Sequence, residues 1–394
     1  MANNFSLSAT AEPRVATPLV NKLMLLMGAF ILVGVGGGLY AQIVGHHHAF
    51  ANTRMMPWGM LIGVYAFFAI ISTGLCLLAA ISHIFGGNKM APLANRMVWL
   101  SIAAIMGAFT VIGLEIENPW RMPLGNILTP NFTSNIWWMG TLYGLAVGFM
   151  FIEFYLILTK KYSAAVALGV LGAVAEASAN SNLGAVFASL NARPFWYGSQ
   201  LPIFFLGCAF LSGAAATIMF THYAHIIRGK KMNQTSFEGA QAAGKVMAMM
   251  IFLIGIATAW KYINSMTGSE ETRLAAMALI NGPLSVNFWV FEIAVGLALP
   301  FGLLLVSRMQ SIQAMSTAAL MVLVGQFVSR FNLVAAGEIV PIYAGYDDSL
   351  PTYLSYSPSP AEYTLVIGGI GVLGLLFLVG ERMFGKAFEA NGHH

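Results

Sequence analysis

Apolar residues along this chain come in ten long runs. They lie at about 21–43, 57–85, 96–116, 134–159, 163–189, 199–227, 242–266, 283–306, 311–333 and 363–384, with polar stretches between them. About 20 consecutive apolar residues carry a helix across ~30 Å of hydrocarbon. The pattern therefore predicts an all-α integral membrane protein of about ten transmembrane helices. It has a polar tail over 1–20, a helical domain over 21–385 and a second tail over 386–394. A transmembrane β-barrel would instead show short alternating segments. If every run crosses, the two longest breaks, 117–133 and 334–362, fall on one side.

Composition sharpens this class and removes others. Only 9% of residues are charged, 58% are hydrophobic and the mean hydropathy is +0.74, whereas soluble domains carry roughly 25% charged residues. Of the 19 lysines and arginines, six (Arg54, Arg121, Arg193, Lys261, Arg273, Arg330) fall on the side with the long connections and 13 on the other. The richer side is expected in the cytoplasm, with both termini. The net charge of +4 is accounted for by these short basic loops and gives no reason to expect nucleic acid. Cys76 and Cys208, both inside apolar runs, are too few to hold an iron–sulfur cluster. No P-loop, nucleophile elbow or HExxH motif is present.

The stretch from Gly113 to Gly140 is the most informative break. It sets Glu115, Glu117, Asn118, Trp120 and Arg121, then Trp137 and Trp138, at a membrane edge. Pro119, Pro123 and Pro130 stop a helix from continuing through it, and Ser134 or Asn131 can cap the next one. The tryptophans alone read as interfacial anchors; an acid and a base in the same short segment suggest chemistry as well. Inside the runs lie Glu153, Glu176 and Glu292, each costly in hydrocarbon and so expected to face protein or water. They suit a proton path, joined by His222, or hydrogen-bonded struts between helices. His222 and His225 share a helix face and admit a haem reading, but no second well-placed pair exists for two haems. At the long-connection edge, Tyr40, Tyr143, His46 and Arg330 gather with aromatic neighbours. Flat rings with a few polar groups suit a quinone, whose tail runs into lipid.

Three stretches resemble the NrfD / polysulfide reductase membrane-subunit family. The first runs from Glu115-Ile-Glu-Asn-Pro-Trp-Arg121 through Pro130-Asn-Phe-Thr-Ser134 to Trp137-Trp138. The second is Arg193-Pro-Phe-Trp196 with Gln200-Leu-Pro-Ile203 and Ser212-Gly213. The third is Arg330-Phe-Asn-Leu-Val-Ala-Ala-Gly337 and the Tyr/Pro/Ser loop after it. The helix number is similar to that of the longer branch, which includes membrane subunits of a sulfite-reductase-associated complex and of a respiratory hydrogenase. The resemblance implies a multi-pass subunit of a bacterial or archaeal cytoplasmic membrane, not catalytic alone and binding no metal or haem. It would exchange electrons between menaquinone or ubiquinone and a ferredoxin-like iron–sulfur subunit on the outer face, with further redox subunits and possible proton translocation. Glu115 and Arg121 match the family's acid and arginine, although an aspartate is the more familiar acid there. Glu115, Asn118, Tyr143, Trp138, His46, Tyr40 and Arg330 are the candidate quinone contacts, and Glu153, Glu176, Glu292 and His222 the candidate proton carriers. A proton-coupled secondary transporter would show inverted repeats and broken central helices; the sequence shows no repeat. A cytochrome b-type subunit is the other alternative.

Overall fold

The computed structural model describes residues 18–84, 89–342 and 351–389. Most of the predicted 1–20 tail, the end of the 386–394 tail and the middle of the 334–362 connection, with Asp347 and Asp348, lie outside the described residues.

Among the described residues, ten helices are long and apolar enough to cross a membrane. They are α1 (Pro18–Val44), α2 (Met60–Ile84), α3 (Ala91–Glu115), α4 (Asn135–Leu158), α5 (Tyr162–Ala188), α6 (Gln200–Arg228), α7 (Gln234–Met266), α8 (Asn287–Ser307), α9 (Ile312–Glu338) and α10 (Pro360–Met383). No strand occurs among the described residues. α7 starts at Gln234 rather than near 242, because Asn233 caps it by accepting from the Ser236 N–H at 2.8 Å. Its first turns carry Gln234, Glu238 and Gln241, so hydropathy misses a helix that has already formed. α9 likewise runs on to Glu338, past the end of its apolar run. In α8, residues Asn287–Ala298 wind as a π-helix before Leu299–Ser307 tighten to α. Such wide turns collect at functional sites.

α2 is the buried axis, packed against α3, α5, α6 and α9. α1 is the reverse: it lies along α10 with most of its surface outward. Apolar side chains gain little by leaving lipid for one another, so close backbone approach holds these pairs. A Cβ added to Gly74 of α2 would fall 1.8 Å from the Ala209 carbonyl oxygen of α6, and one on Gly34 of α1 would fall 2.5 Å from Gly368 Cα of α10. At the short-connection face, Glu381 of α10 pairs with Arg96 of α3 at 2.7 Å and with Arg228 of α6, which also pairs with Glu389. The ionic brace sits opposite the end where the long connections gather.

Candidate functional site

The long connections are tied down by two buried carboxylates. Glu362, in the first turn of α10, accepts from the backbone N–H of Ala51 (3.2 Å) and Ser359 (2.7 Å) and from the Tyr356 hydroxyl (2.6 Å). Ser359 returns the bond to the Glu362 N–H and completes a capping box. Tyr356 in turn accepts from the Met60 N–H at 2.6 Å, at the start of α2. Glu338, the last residue of α9, accepts from the Trp58 N–H at 3.0 Å. Arg193 donates to the carbonyls of Met55 (2.9 Å), Val340 (3.2 Å) and Glu338 (3.3 Å). Burial pulls the Arg193 guanidinium below its ordinary range while the Glu338 carboxylate pushes back. Trp196 donates its indole N–H to Leu333 O at 2.7 Å and stacks on Trp58. The segment 45–59 is thereby clamped over the ends of α2, α9 and α10.

Glu115 ends α3 against this clamp. The Asn52 amide is its hydrogen-bonding neighbour, and Glu362 and Tyr356 lie close enough to act on its charge. Gly59 leaves the room: a Cβ there would meet Asn52 Oδ1 at 2.3 Å, Tyr356 Oη at 2.5 Å and Glu362 Oε1 at 2.9 Å. His46 stands one turn past Gln42, whose amide reaches the carbonyls of Ile116 and Glu117 at 3.4 and 3.3 Å, directly after Glu115. Glu115 Oε2 and Asn52 Oδ1 in this corner are buried without a partner, as is His46 Nε2 on the segment that follows α1, where its ring lies edge-on to Phe50. Buried polar atoms are normally paired, so an orphaned set asks for a ligand. Two are oxygens that accept, and the third accepts or donates according to its tautomer. Ring hydroxyls can donate to all three, whereas ring carbonyls can only accept, from His46 in its Nε2–H tautomer.

The other predicted residues separate. Arg121 opens a two-turn helix, Arg121–Leu128, inside the proline-bearing break; Pro123 is tolerated because first-turn N–H groups have no helical acceptor. Its side chain is exposed and makes no ion pair with Glu115. Asn118 is exposed too, as is Tyr40, which points outward from α1. Trp138 is partly exposed and donates to Phe132 O at 2.9 Å. Ser134, not Asn131, caps α4, accepting from the Trp137 N–H. Tyr143 is fully buried, edge-on to Tyr65. Below it Glu176 accepts from Thr73 (2.6 Å) and Ser72 (2.9 Å) of α2, and Ser72 contacts Ser101 of α3 at 3.0 Å. Asn180, one turn from Glu176, has both amide atoms buried and unpaired, as are Glu153 Oε2 and His222 Nδ1. Arg330 lies two turns inside α9, 1% exposed, between Phe204 and Phe205 of α6, with Cys208 Sγ at 3.2 Å. It stands with Glu292, which accepts from Ser329 (3.0 Å) and Asn332 (2.8 Å), and not at the rim.

Sequence reasoning missed Asn52, Tyr356, Glu338 and Glu362. Glu362 carried a signal, Ser359 three places before it at a helix start; nothing local marked the other three.

The chain matches the polysulphide reductase, NrfD family over residues 49–342. It is 24% identical over 365 residues to the Hdr-like menaquinol oxidoreductase integral membrane subunit of Archaeoglobus fulgidus, covering 88% of this chain and 89% of that one. It is 21% identical over 426 aligned positions to a selenate reductase subunit of Mesobacillus selenatarsenatis, covering 95% and 97%.

Proposed function

The chain belongs to the NrfD polysulphide reductase family, and on that footing we propose that it is the quinone-interacting integral membrane subunit of a multi-subunit oxidoreductase. The named relatives are a menaquinol oxidoreductase membrane subunit and a selenate reductase subunit, both parts of larger redox assemblies. The observation that carries the reading is the orphaned trio Glu115 Oε2, Asn52 Oδ1 and His46 Nε2 at the membrane edge. Bound there, menaquinone or ubiquinone supplies two-electron, two-proton chemistry. Glu115 would take or return a proton at its free oxygen, Asn52 would steady that carboxylate, and His46 would offer the ring a further polar contact. The clamp formed by Glu338, Glu362, Tyr356 and Arg193 keeps the segment bearing Asn52 closed over the site.

The chain holds no metal or haem of its own, on this reading, so electrons leave through a partner. A ferredoxin-like iron–sulfur subunit would dock on the face with the long connections, which is the outer face by the lysine and arginine bias. Glu176, bonded to Thr73 and Ser72 below Tyr143, with Asn180 and Glu153 unpaired nearby, is the route by which protons would move toward the short-connection face. Glu115→Gln keeps the shape and removes the proton exchange. The purified complex carrying it should assemble normally and lose quinone-linked turnover by about 10²-fold or more; wild-type turnover would remove Glu115 from the mechanism.

A further inference from the structure

A cavity of about 810 Å³ opens between α6 and α7 and shares no residue with the Glu115 corner. At the long-connection end it is lined by Lys261, Asn264 and Ser265 of α7 together with the Phe195–Trp196 turn, and it descends along Leu253, Ile254 and Met250. From Asn264 to Met250 is roughly 21 Å of helix, the reach of a long apolar tail. The cavity thus has a polar head end and a greasy shaft.

Lys261 decides what fits. It is the cation of the head end, held over the Phe195 ring at 4.3 Å, and it forms no ion pair or hydrogen bond among the described residues. It also lines a small inner cavity with Glu292, Ser329 and Tyr262. Behind that cavity is Arg330, whose Nε and Nη1 are buried without partners. Two cations, Lys261 and Arg330, therefore face one carboxylate, Glu292, in a segment that spans the membrane. An uncompensated positive charge is expensive in low-dielectric surroundings. The open side of the cluster, through Lys261, is where a negative charge would balance it.

We propose that the α6–α7 cavity is a specific seat for an anionic phospholipid, with its phosphodiester against Lys261 and an acyl chain along Leu253, Ile254 and Met250. The inference depends only on the chain lying in a bilayer and not on the quinone reading. Its occupant carries no electrons; it neutralises the Lys261–Arg330–Glu292 cluster and seals the gap between α6 and α7.

The test uses the whole complex in nanodiscs with two photoreactive probes, phosphatidylglycerol and phosphatidylcholine bearing the same diazirine acyl chain. Crosslinks are mapped to residues 250–264 by mass spectrometry. Phosphatidylglycerol should label this segment about tenfold more than phosphatidylcholine, because both offer a phosphodiester to Lys261 but choline's cation cancels the charge that the cluster lacks and is repelled by it. Lys261→Met should erase that preference, Lys261→Arg should keep it, and Leu253→Trp, which fills the shaft, should lower labelling by both probes. Equal labelling of the wild type by the two headgroups overturns the proposal, and needs no variant to fold. A preference that persists in Lys261→Met overturns it too.

Discussion

Glu362 offers the sharpest test of the clamp, because its three bonds can be removed in steps. Its Oε2 takes the N–H of Ala51 and Ser359, and its Oε1 takes the Tyr356 hydroxyl. In Glu362→Gln the amide oxygen can keep the two N–H groups, and a glutamine still serves a capping box. Its NH₂ then points at Tyr356, which already accepts from the Met60 N–H. The hydroxyl can accept again but cannot place its own proton. One buried donor is lost, worth about 1–3 kcal/mol. Glu362→Ala abandons all three donors and should cost roughly 3–6 kcal/mol on the same scale, less whatever water recovers when the segment opens. Since ~1.4 kcal/mol is a factor of ten, hydrogen exchange at the Ala51 amide should quicken about 10–100-fold in the glutamine variant. In the alanine variant it should quicken by roughly two further decades. Amides in the middle of α2 serve as the internal reference and should not change. Unaltered exchange at Ala51 in Glu362→Ala, or equal effects of the two substitutions, would show that the carboxylate does not hold the segment.

Tyr356 gives a pH signature. Burial and the neighbouring Glu362 raise its phenol above the usual range, whereas in the unfolded chain it ionises near pH ~10. The folded state thus holds a proton that the unfolded state releases, so the loop contribution to stability is present below about pH 10 and falls as pH rises above it. Thermal melts from pH 9 to 11 should show that fall, and Tyr356→Phe should make it shallower than in the wild type. Gly337→Ala would place a Cβ 1.9 Å from Trp196, whose ring is fixed by Leu333 O and Trp58. Overpacking of about 1–3 kcal/mol should lower the melting temperature and loosen the Arg193 turn; an unchanged melting curve would mean the indole yields freely. Arg121→Ala should leave the isolated subunit within about 0.5 kcal/mol of wild type, because the side chain is exposed and pairs with no carboxylate. Any loss should appear only as weaker assembly or slower turnover of the complex.

The bundle was legible because crossing a bilayer demands one thing of a sequence, an unbroken apolar run, and each of the ten runs has become a helix. Polar helix ends escaped, as at Gln234–Gln241 in α7 and in the last turn of α9, and so did short helices within the breaks, Arg121–Leu128 and Glu270–Ile280. Ser134 was legible as a cap because capping is local. The candidate site was half legible as geometry. Glu115 stood out as an acid at the membrane edge, but its surroundings come from Asn52, Tyr356 and Glu362, brought together by folding across most of the chain. Arg330 was read at the rim because its apolar run ends near it. The helix continues to Glu338, which carries the arginine two turns inward, to Cys208 and the α6 phenylalanines. Distance along a run measures depth only when the run and the helix end together.

The bond from the Ala51 N–H to Glu362 joins residues 311 positions apart. A ribosome adding ~5–20 residues per second needs roughly 15–60 s to cover that interval. The first connection between helices is therefore made early and left without its acceptor until the tenth helix arrives. Translation products cut short before α10 would carry Glu115 and His46 but not the Glu362 carboxylate that holds Ala51, so the segment 45–59 cannot be fixed over this corner until the tenth helix has been made.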